Sequence, residues 1–255
     1  MTSLFSTLLG SIFLGACIGS FLNVCISRWK SGGNIFFPSS SQCPHCHHPI
    51  LWYDNIPVMS FVLLGAKCRF CRTPISWQYP LVELSTALLF GFSFYRFRDD
   101  RILIESFFFV SFIVLLVVSD IKWKLLPHLF TNLFILTGLL FLNLGSLASF
   151  DNLFRSITNF LLLGFVLYGT TLIIPQGIGG GDIKLGAGLA IWLSLSQTLV
   201  VLLLAFSLGT LVAAPLLWSK KITRKSKIPF GPFLAFGSLL IWFYPSLVNK
   251  LGGSL

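Results

Sequence analysis

The chain has 255 residues, of which 55% are hydrophobic and only 10% are charged, and its mean hydropathy is +0.86. Soluble domains usually carry about 25% charged residues, so this composition excludes an ordinary soluble protein and favours one that is embedded in lipid. The net charge of +10 can be explained without a nucleic-acid partner. With the N-terminus outside, 13 of the 18 lysines and arginines lie in cytoplasmic loops, as the positive-inside rule requires, where they can also contact anionic lipid.

Eight apolar segments are candidates for membrane-spanning helices, because a helix needs about 17–25 residues to cross a bilayer. They are residues 4–27, 81–97, 102–119, 127–145, 153–174, 181–194, 197–218 and 230–248. The run from 185 to 218 would form a single helix of about 50 Å, which is too long for one crossing, so we divide it at Ser194–Gln197. The sequence therefore predicts an all-α integral membrane protein with about eight transmembrane helices, with both termini outside. We see no internal repeat.

One connection is long enough to form a small domain, the segment 28–80 between the first and second helices. We divide the chain accordingly into a first transmembrane helix (1–27), a cytoplasmic loop domain (28–80) and a membrane domain of about seven helices (81–255). Glu83, close to the start of the second helix, is interpreted as a helix-start residue.

The loop carries two Cys-x-x-Cys pairs, Cys43 with Cys46 and Cys68 with Cys71. Two such pairs at this spacing can place four thiolates around one zinc ion, as in a zinc ribbon. The cytosolic side is reducing, which favours metal binding over disulfides. Four cysteine ligands complete a closed structural site, so we predict structural Zn²⁺ here; two thiol pairs without metal are the alternative.

Two of the eight acidic residues stand out because they lie at the ends of apolar runs. Asp120 ends the third predicted helix, and Asp182 begins the sixth, after the glycine run "GIGGGD". The predicted topology brings both to the same depth near the cytoplasmic boundary. Each could be a separately solvated helix-end residue. Together they suggest one site, because two neighbouring carboxyls can share a proton and activate water as in aspartic proteases.

The glycines before Asp182 allow irregular backbone at membrane depth, which is tolerated only where it lines a wet cavity. Gly177, Gly179, Gly180 and Gly181 would also let an extended peptide approach the backbone closely. We therefore predict that Gly179, Gly180 and Gly181 form a flexible loop beside the substrate backbone.

These segments resemble the type IV prepilin peptidase family, the GxGD-type membrane aspartic proteases. The similarity runs along nearly the whole chain. It covers "GSFLNVCISR" (19–28), the cysteine loop leading into "YPLVE", "SDIKWKLLPHLFT" with Asp120, "GIGGGDIKLGAGLAIWL" with Asp182, and "KIPFGPFLAFG" (227–237). His128 departs from the family pattern, in which an acidic or amide residue often follows the Leu-Pro.

The resemblance implies that Asp120 and Asp182 are the catalytic pair of an endopeptidase in the bacterial cytoplasmic (inner) membrane. The implied substrates are prepilins or pseudopilins, whose short basic leader is removed on the cytoplasmic side. For members with the long cysteine loop it also implies N-methylation of the new N-terminal residue from S-adenosylmethionine. Asn23 and Arg28 match the family's first motif and are candidates for supporting methyl transfer, with a capping or membrane-boundary role as the alternative. No donor-binding residue can be placed.

Other functions remain open at this point. A GxGD protease of broader substrate range would share the two-aspartate site. A transporter with a regulatory zinc site could use paired aspartates as an ion relay, although transporters usually show repeated halves and helices broken near mid-membrane. A structural membrane subunit would leave two facing carboxyls unexplained. The particular pilin, the biological system and the oligomeric state are not predicted.

Overall fold

The computed structural model describes residues 2–30, 41–144, 150–173, 179–221 and 228–251. The helices are α1 (Thr2–Lys30), α2 (Met59–Leu63), α3 (Gln78–Arg96), α4 (Asp100–Trp123), α5 (His128–Leu144), α6 (Phe150–Ile173), α7 (Gly180–Trp192), α8 (Leu195–Trp218), α9 (Gly231–Phe243) and α10 (Ser246–Leu251). A single 3₁₀ turn covers Trp52–Asn55. Within these ranges the extended structure is limited to two isolated bridges in the cysteine loop.

The predicted all-α membrane fold is confirmed, and each of the eight predicted spans overlaps a helix, the last of them two helices. Four helices are long and apolar enough to cross a membrane: Phe5–Lys30, Asp100–Trp123, Phe150–Ile173 and Leu195–Trp218. His128–Leu144 and Gly231–Phe243 are shorter apolar helices. The chain is therefore a multi-pass membrane protein, and the count of eight crossings stays a prediction.

Two helix ends explain how the chain divides its longest apolar runs. Ser194 separates α7 from α8, because its hydroxyl accepts from the Gln197 backbone N–H while the Gln197 side chain accepts from the Ser194 N–H. This reciprocal capping box satisfies two otherwise unpaired donors, and it confirms the division at Ser194–Gln197. The last predicted span, 230–248, ends earlier than expected, since Tyr244 leaves helical geometry before Pro245 and α10 starts afterwards.

The chain forms two compact units, Met1–Leu115 and Leu116–Leu255. The division 1–27, 28–80 and 81–255 follows the predicted membrane topology and stays a prediction. In the first unit α1 packs closely on α3 through a glycine stripe that we did not predict from the sequence. A Cβ on Gly15 would lie 2.8 Å from the Ala87 Cα, and one on Gly19 would lie 2.7 Å from the Glu83 Cα. This small-xxx-small spacing lets membrane helices approach backbone to backbone.

The second unit is built around α7, which is buried along its whole length after Lys184. At its far end the Trp192 indole donates to the Phe134 carbonyl of α5 at 2.9 Å. Gly138 makes room for that ring, since a Cβ there would lie 2.7 Å from the Trp192 Nε1. With 13 residues, α7 is only about 20 Å long, so it is a core helix of the unit. Its N-terminus carries Asp182.

Candidate active site and metal centre

Asp120 lies in the last turn of α4 and is only 5% exposed. Its Oδ2 accepts a hydrogen bond of 2.8 Å from the backbone N–H of Gly231, the first residue of α9. A helix N-terminus presents unpaired N–H groups and a partial positive charge, which favour a carboxylate. Gly231 is a site residue that the sequence did not reveal. A Cβ there would lie 2.8 Å from the Asp120 Oδ2, so only glycine permits this contact.

Asp182 is the third residue of α7, with Gly179 as the N-cap. The Gly179 backbone hydrogen-bonds the Asp182 carboxyl, as the third residue of a capping box does. Asp182 therefore acts as a helix cap, which is one of the two roles that the sequence left open. The cap does not account for the whole carboxyl, because Asp182 Oδ1 is buried and has no hydrogen-bond partner among the described residues. A buried oxygen left unpaired at a helix start is unusual enough to need an explanation.

The second unit brings the two aspartates together. The charge on Asp120 acts directly on the Asp182 carboxyl, although the two residues come from α4 and α7. Two carboxyls in this relation cannot both ionise easily. The arrangement offers one carboxyl oxygen fixed by an N–H and a second carboxyl beside it that favours the protonated form, which together suit acid–base chemistry on a peptide bond.

The three described glycines before Asp182 differ from the flexible loop that we predicted, because Gly180 and Gly181 begin α7 and Gly179 is its N-cap. A Cβ on Gly181 would lie 2.8 Å from the Leu126 Cβ, and one on Gly179 would lie 3.0 Å from the Asp182 Oδ2. Gly180 is exposed, and a Cβ there would meet nothing within 4 Å. Gly179 and Gly181 thus serve contacts within the protein. Gly180 is the position with open space for another chain. Gly177 lies outside the described residues.

His128 begins α5 beside the same site. The Lys184 ammonium, two residues after Asp182, lies 3.4 Å from the His128 Nδ1. His128, where the sequence departs from the pattern that it resembles, is thus in contact with the residue two positions after Asp182.

The four predicted metal ligands meet in the first unit. The Sγ atoms of Cys43, Cys46, Cys68 and Cys71 all lie within 4.8 Å of one another, and Cys43 and Cys71 are 3.8 Å apart. In a tetrahedral zinc–thiolate site with bonds of about 2.3 Å, neighbouring sulfurs are about 3.8 Å apart. A disulfide would need about 2.05 Å, and all four thiols are free. The cluster could therefore hold a metal ion.

The two cysteine pairs sit in a structural repeat, which corrects our expectation that the chain has none. Residues 41–50 and 66–75 form the same tight hairpin, and in each the residue after the second cysteine is in the left-handed region, His47 (φ 55°) or Arg72 (φ 58°). Three backbone hydrogen bonds of the first hairpin recur in the second. The bond from Cys43 N–H to His48 O matches that from Cys68 N–H to Thr73 O, and the bond from His47 N–H to Cys43 O matches that from Arg72 N–H to Cys68 O. The third pair is Ile50 N–H to Ser41 O and Ile75 N–H to Ala66 O. The cysteines and a Pro-Ile pair were the only sequence signal.

Polar contacts prepare the cluster for a cation. A hydrogen bond with the Thr73 hydroxyl, 2.6 Å from the sulfur, lowers the pKa of Cys71 to about 6. The thiolate is the form that ligates a metal. Arg69, between the second pair of cysteines, makes two hydrogen bonds to Asp54 at 2.7 and 2.6 Å. These bonds lower the pKa of Asp54 and tie the 3₁₀ turn to the second hairpin.

Asn23 is buried where α1, the end of the loop and α3 meet. Its Nδ2 donates to the Tyr79 carbonyl at 3.2 Å, and its Oδ1 accepts from the Gln78 Nε2 at 3.2 Å. These contacts fit a role in positioning α3 against α1, which we did not consider from the sequence. Arg28 lies in the last turn of α1 and so belongs to the first unit, whereas both aspartates belong to the second.

Comparison with known proteins identifies two matching family models. Residues 13–97 match the bacterial peptidase A24 N-terminal domain, and residues 107–214 match the type IV leader peptidase family. No solved structure gives a significant match.

Similar curated proteins are named prepilin leader peptidase/N-methyltransferase. One from Aeromonas hydrophila is 32% identical over 88% of this chain and 87% of its own length. One from Burkholderia pseudomallei is 31% identical over 92% and 84%. One from Myxococcus xanthus is 39% identical over 78% of this chain and 60% of its own length. At this identity and coverage, the chain belongs to the type IV leader peptidase family.

Proposed function

We propose that this protein removes the leader of prepilins or pseudopilins and methylates the new N-terminal residue. The observation that carries the peptidase proposal is the pairing of Asp120 with Asp182 at the ends of α4 and α7, beside the N-terminus of α9. Family membership and the names of the relatives support the substrate and the second activity. They also remove the transporter alternative.

In the proposed reaction Asp120 is the general base. The Gly231 N–H holds its Oδ2 and favours the ionised form, which leaves Oδ1 to take a proton from water. The water oxygen attacks the scissile carbonyl carbon. Asp182, whose Oδ1 has no other partner, donates its proton to the carbonyl oxygen. When the tetrahedral intermediate collapses, the C–N bond breaks and the leaving amine takes the proton that Asp120 gained from water. One hydroxyl of the intermediate gives its proton back to Asp182 as the C=O bond re-forms, which restores both carboxyls.

We propose that the metal is zinc and that Cys43, Cys46, Cys68 and Cys71 are its four ligands. A closed site of four thiolates suits Zn²⁺, which would stabilise the loop fold and leave no open coordination position for catalysis. The names of the relatives suggest S-adenosylmethionine as methyl donor. The amide nitrogen and the amide oxygen of Asn23 are both hydrogen-bonded. We therefore assign Asn23 the role of positioning α3 against α1 and no role in methyl transfer.

Co-expression with a prepilin tests both activities in one measurement. The intact mass of the purified pilin should show loss of the leader and addition of one methyl group. A leader that stays attached in the presence of the well-folded protein would contradict the peptidase proposal. A pilin that is cleaved but unmethylated with donor supplied would contradict the second activity alone.

We propose that both termini lie outside and that the active site faces the cytoplasm of the inner membrane. Arg98 in the turn after α3 and Lys221 after α8 test this, because the positive-inside rule places them on opposite sides. Cysteines introduced at the two positions are treated with an impermeant thiol reagent and read by peptide mapping, which separates them from native cysteines. We expect labelling of R98C in intact cells and of K221C only after permeabilisation. The reverse pattern would overturn the topology.

Gly231→Ala should damage catalysis without removing either aspartate. The added Cβ meets the Asp120 carboxyl at 2.8 Å, so the carboxyl must turn away from the N–H that orients it. Misplacing a catalytic group by about 1 Å can reduce the rate about 10²-fold. We expect a loss of this size in kcat for leader removal, with little change in KM.

Two comparison variants isolate that effect. Gly169→Ala makes the same substitution in α6, where a Cβ meets nothing within 4 Å, and should keep full activity. Because Gly231 is helical and precedes Pro232, alanine there also introduces strain with the proline ring. Adding Pro232→Ala removes that strain. If the double variant recovers wild-type activity, the contact with Asp120 is not the cause.

A further inference from the structure

The cysteine loop carries a set of large apolar side chains that the described residues of its own unit leave largely exposed. Leu63 is 79% exposed and Trp52 is 81% exposed. We call the set the apolar face: Trp52, Met59, Val62, Leu63 and Trp77, all exposed. A loop bathed only in water would not be expected to present so many large apolar groups together, and such patches mark interaction surfaces.

Local contacts hold the apolar face together as one surface. The Ser60 hydroxyl of α2 donates to the Tyr53 carbonyl of the 3₁₀ turn at 3.0 Å. The Phe61 ring of α2 packs on Trp77 with centroids 4.9 Å apart. The turn, α2 and the residue before α3 are therefore fixed relative to one another.

A part-buried hydrogen bond fixes the position of this surface along α3. The Val58 N–H, just before α2, donates to the Glu83 Oε2 at 2.7 Å. Val58 has φ 63°, an uncommon conformation for a β-branched residue. Glu83 is 8% exposed and is the sixth residue of α3, which corrects our interpretation of it as a helix-start residue. The start of α2 therefore lies level with a residue inside the predicted span 81–97.

This height places the apolar face at the membrane boundary. Trp77 directly precedes α3, and α3 packs along α1, which is long and apolar enough to span. Tryptophans gather at the headgroup level of membranes, and short amphipathic helices bury an apolar side there. The neighbouring hairpin exposes Lys67 and Arg72, whose charges complement anionic headgroups.

We propose that the apolar face inserts into the anionic leaflet on the loop side and holds the cysteine cluster against the membrane surface. Lipid is thus part of the environment of this loop. The surface is continuous with the membrane helices of its own unit, so α2 enters the headgroup region together with the start of α3.

Photo-crosslinking tests which molecule covers the face. p-Benzoylphenylalanine is placed at Leu63, and in a second variant at Gln42, an exposed polar position of the first hairpin. The full chain is reconstituted in vesicles of phosphatidylcholine with phosphatidylglycerol and irradiated, and adducts are identified by mass. We expect lipid adducts at Leu63, enriched in phosphatidylglycerol over its share of the bilayer, and none at Gln42.

Each other outcome overturns the proposal. An adduct to a second copy of the chain would make the face an oligomer interface, and an adduct to co-reconstituted prepilin would make it a substrate surface. Absence of any adduct at Leu63 would leave the face in water. A second arm places the probe at Trp52 and introduces V62D and L63D. The lipid adduct should be lost while bound metal per chain is retained, and persistence of the adduct would contradict insertion through α2.

Discussion

Replacing Asp120 or Asp182 with asparagine is expected to reduce leader removal on the order of 10⁴-fold or more, with the double replacement little worse than either. Residues that act as one catalytic unit show such non-additive losses. In the proposed mechanism the pair starts with one proton, so each carboxyl is needed in a different protonation state. Asparagine can neither take the proton from water nor give one to the carbonyl oxygen.

Folding should survive both replacements. In D120N the amide side chain could still present an oxygen to the Gly231 N–H, which donates to the Asp120 Oδ2 in the native protein. Neutral side chains are also tolerated better than charges near lipid. Asp151→Asn makes the same chemical change at an exposed position in the first turn of α6, where a lost dipole interaction is worth less than about 1 kcal/mol. It should keep normal activity.

The assay is the intact mass of a co-expressed prepilin, read for every variant at equal expression. Substantial leader removal by either well-folded single mutant would separate the two aspartates and leave Asp182 as a helix cap. In the native protein activity should fall on both sides of an optimum pH, because the pair titrates as a unit with two macroscopic steps. Loss on one side only would mean that a single carboxyl does the chemistry.

The aspartates could be found from sequence because a carboxyl at the end of an apolar run is rare and needs a reason. Gly231 could not. Glycine followed by proline at the start of an apolar segment is typical of an ordinary helix N-terminus, and nothing in that local pattern points to a carboxyl 111 positions earlier. The contact exists only because α4 ends where α9 begins.

The fold, too, could be predicted only in part from local sequence patterns. Hydropathy located all eight predicted helices, since apolar length is what lipid demands of a span. The close packing of α1 on α3 was missed, although Gly15 and Gly19 carry its signal four residues apart, because spacing alone does not say which helix lies opposite. The hairpin repeat was missed for a related reason. Its similarity lies in backbone hydrogen bonds, and few side chains besides the cysteines repeat.

Removing the proposed zinc, or two of its proposed ligands, should unfold the cysteine loop. Structural zinc in small peptides contributes an apparent binding free energy of about 10–16 kcal/mol, and the two hairpins have isolated bridges in place of a sheet to hold them. Cys43→Ser with Cys71→Ser removes one ligand from each hairpin, two sulfurs that lie 3.8 Å apart. We expect amide protection across 41–77 to be lost, as with a strong chelator, and bound zinc to fall from one per chain to near zero.

Cys17→Ser is the matched control, because it makes the same atom change in α1, away from the cluster. It should keep both the metal and the protection of the loop. Protection of α7 should persist in every variant, since the cysteines belong to the first compact unit and α7 to the second. A double serine variant that keeps a protected loop with no metal bound would show that the Arg69–Asp54 contacts and the hairpin hydrogen bonds suffice, and the cysteines would then be dispensable for the fold. If instead α7 lost protection together with the loop, the metal would be supporting the whole chain, because a local site can destabilise a distant helix only when both unfold together.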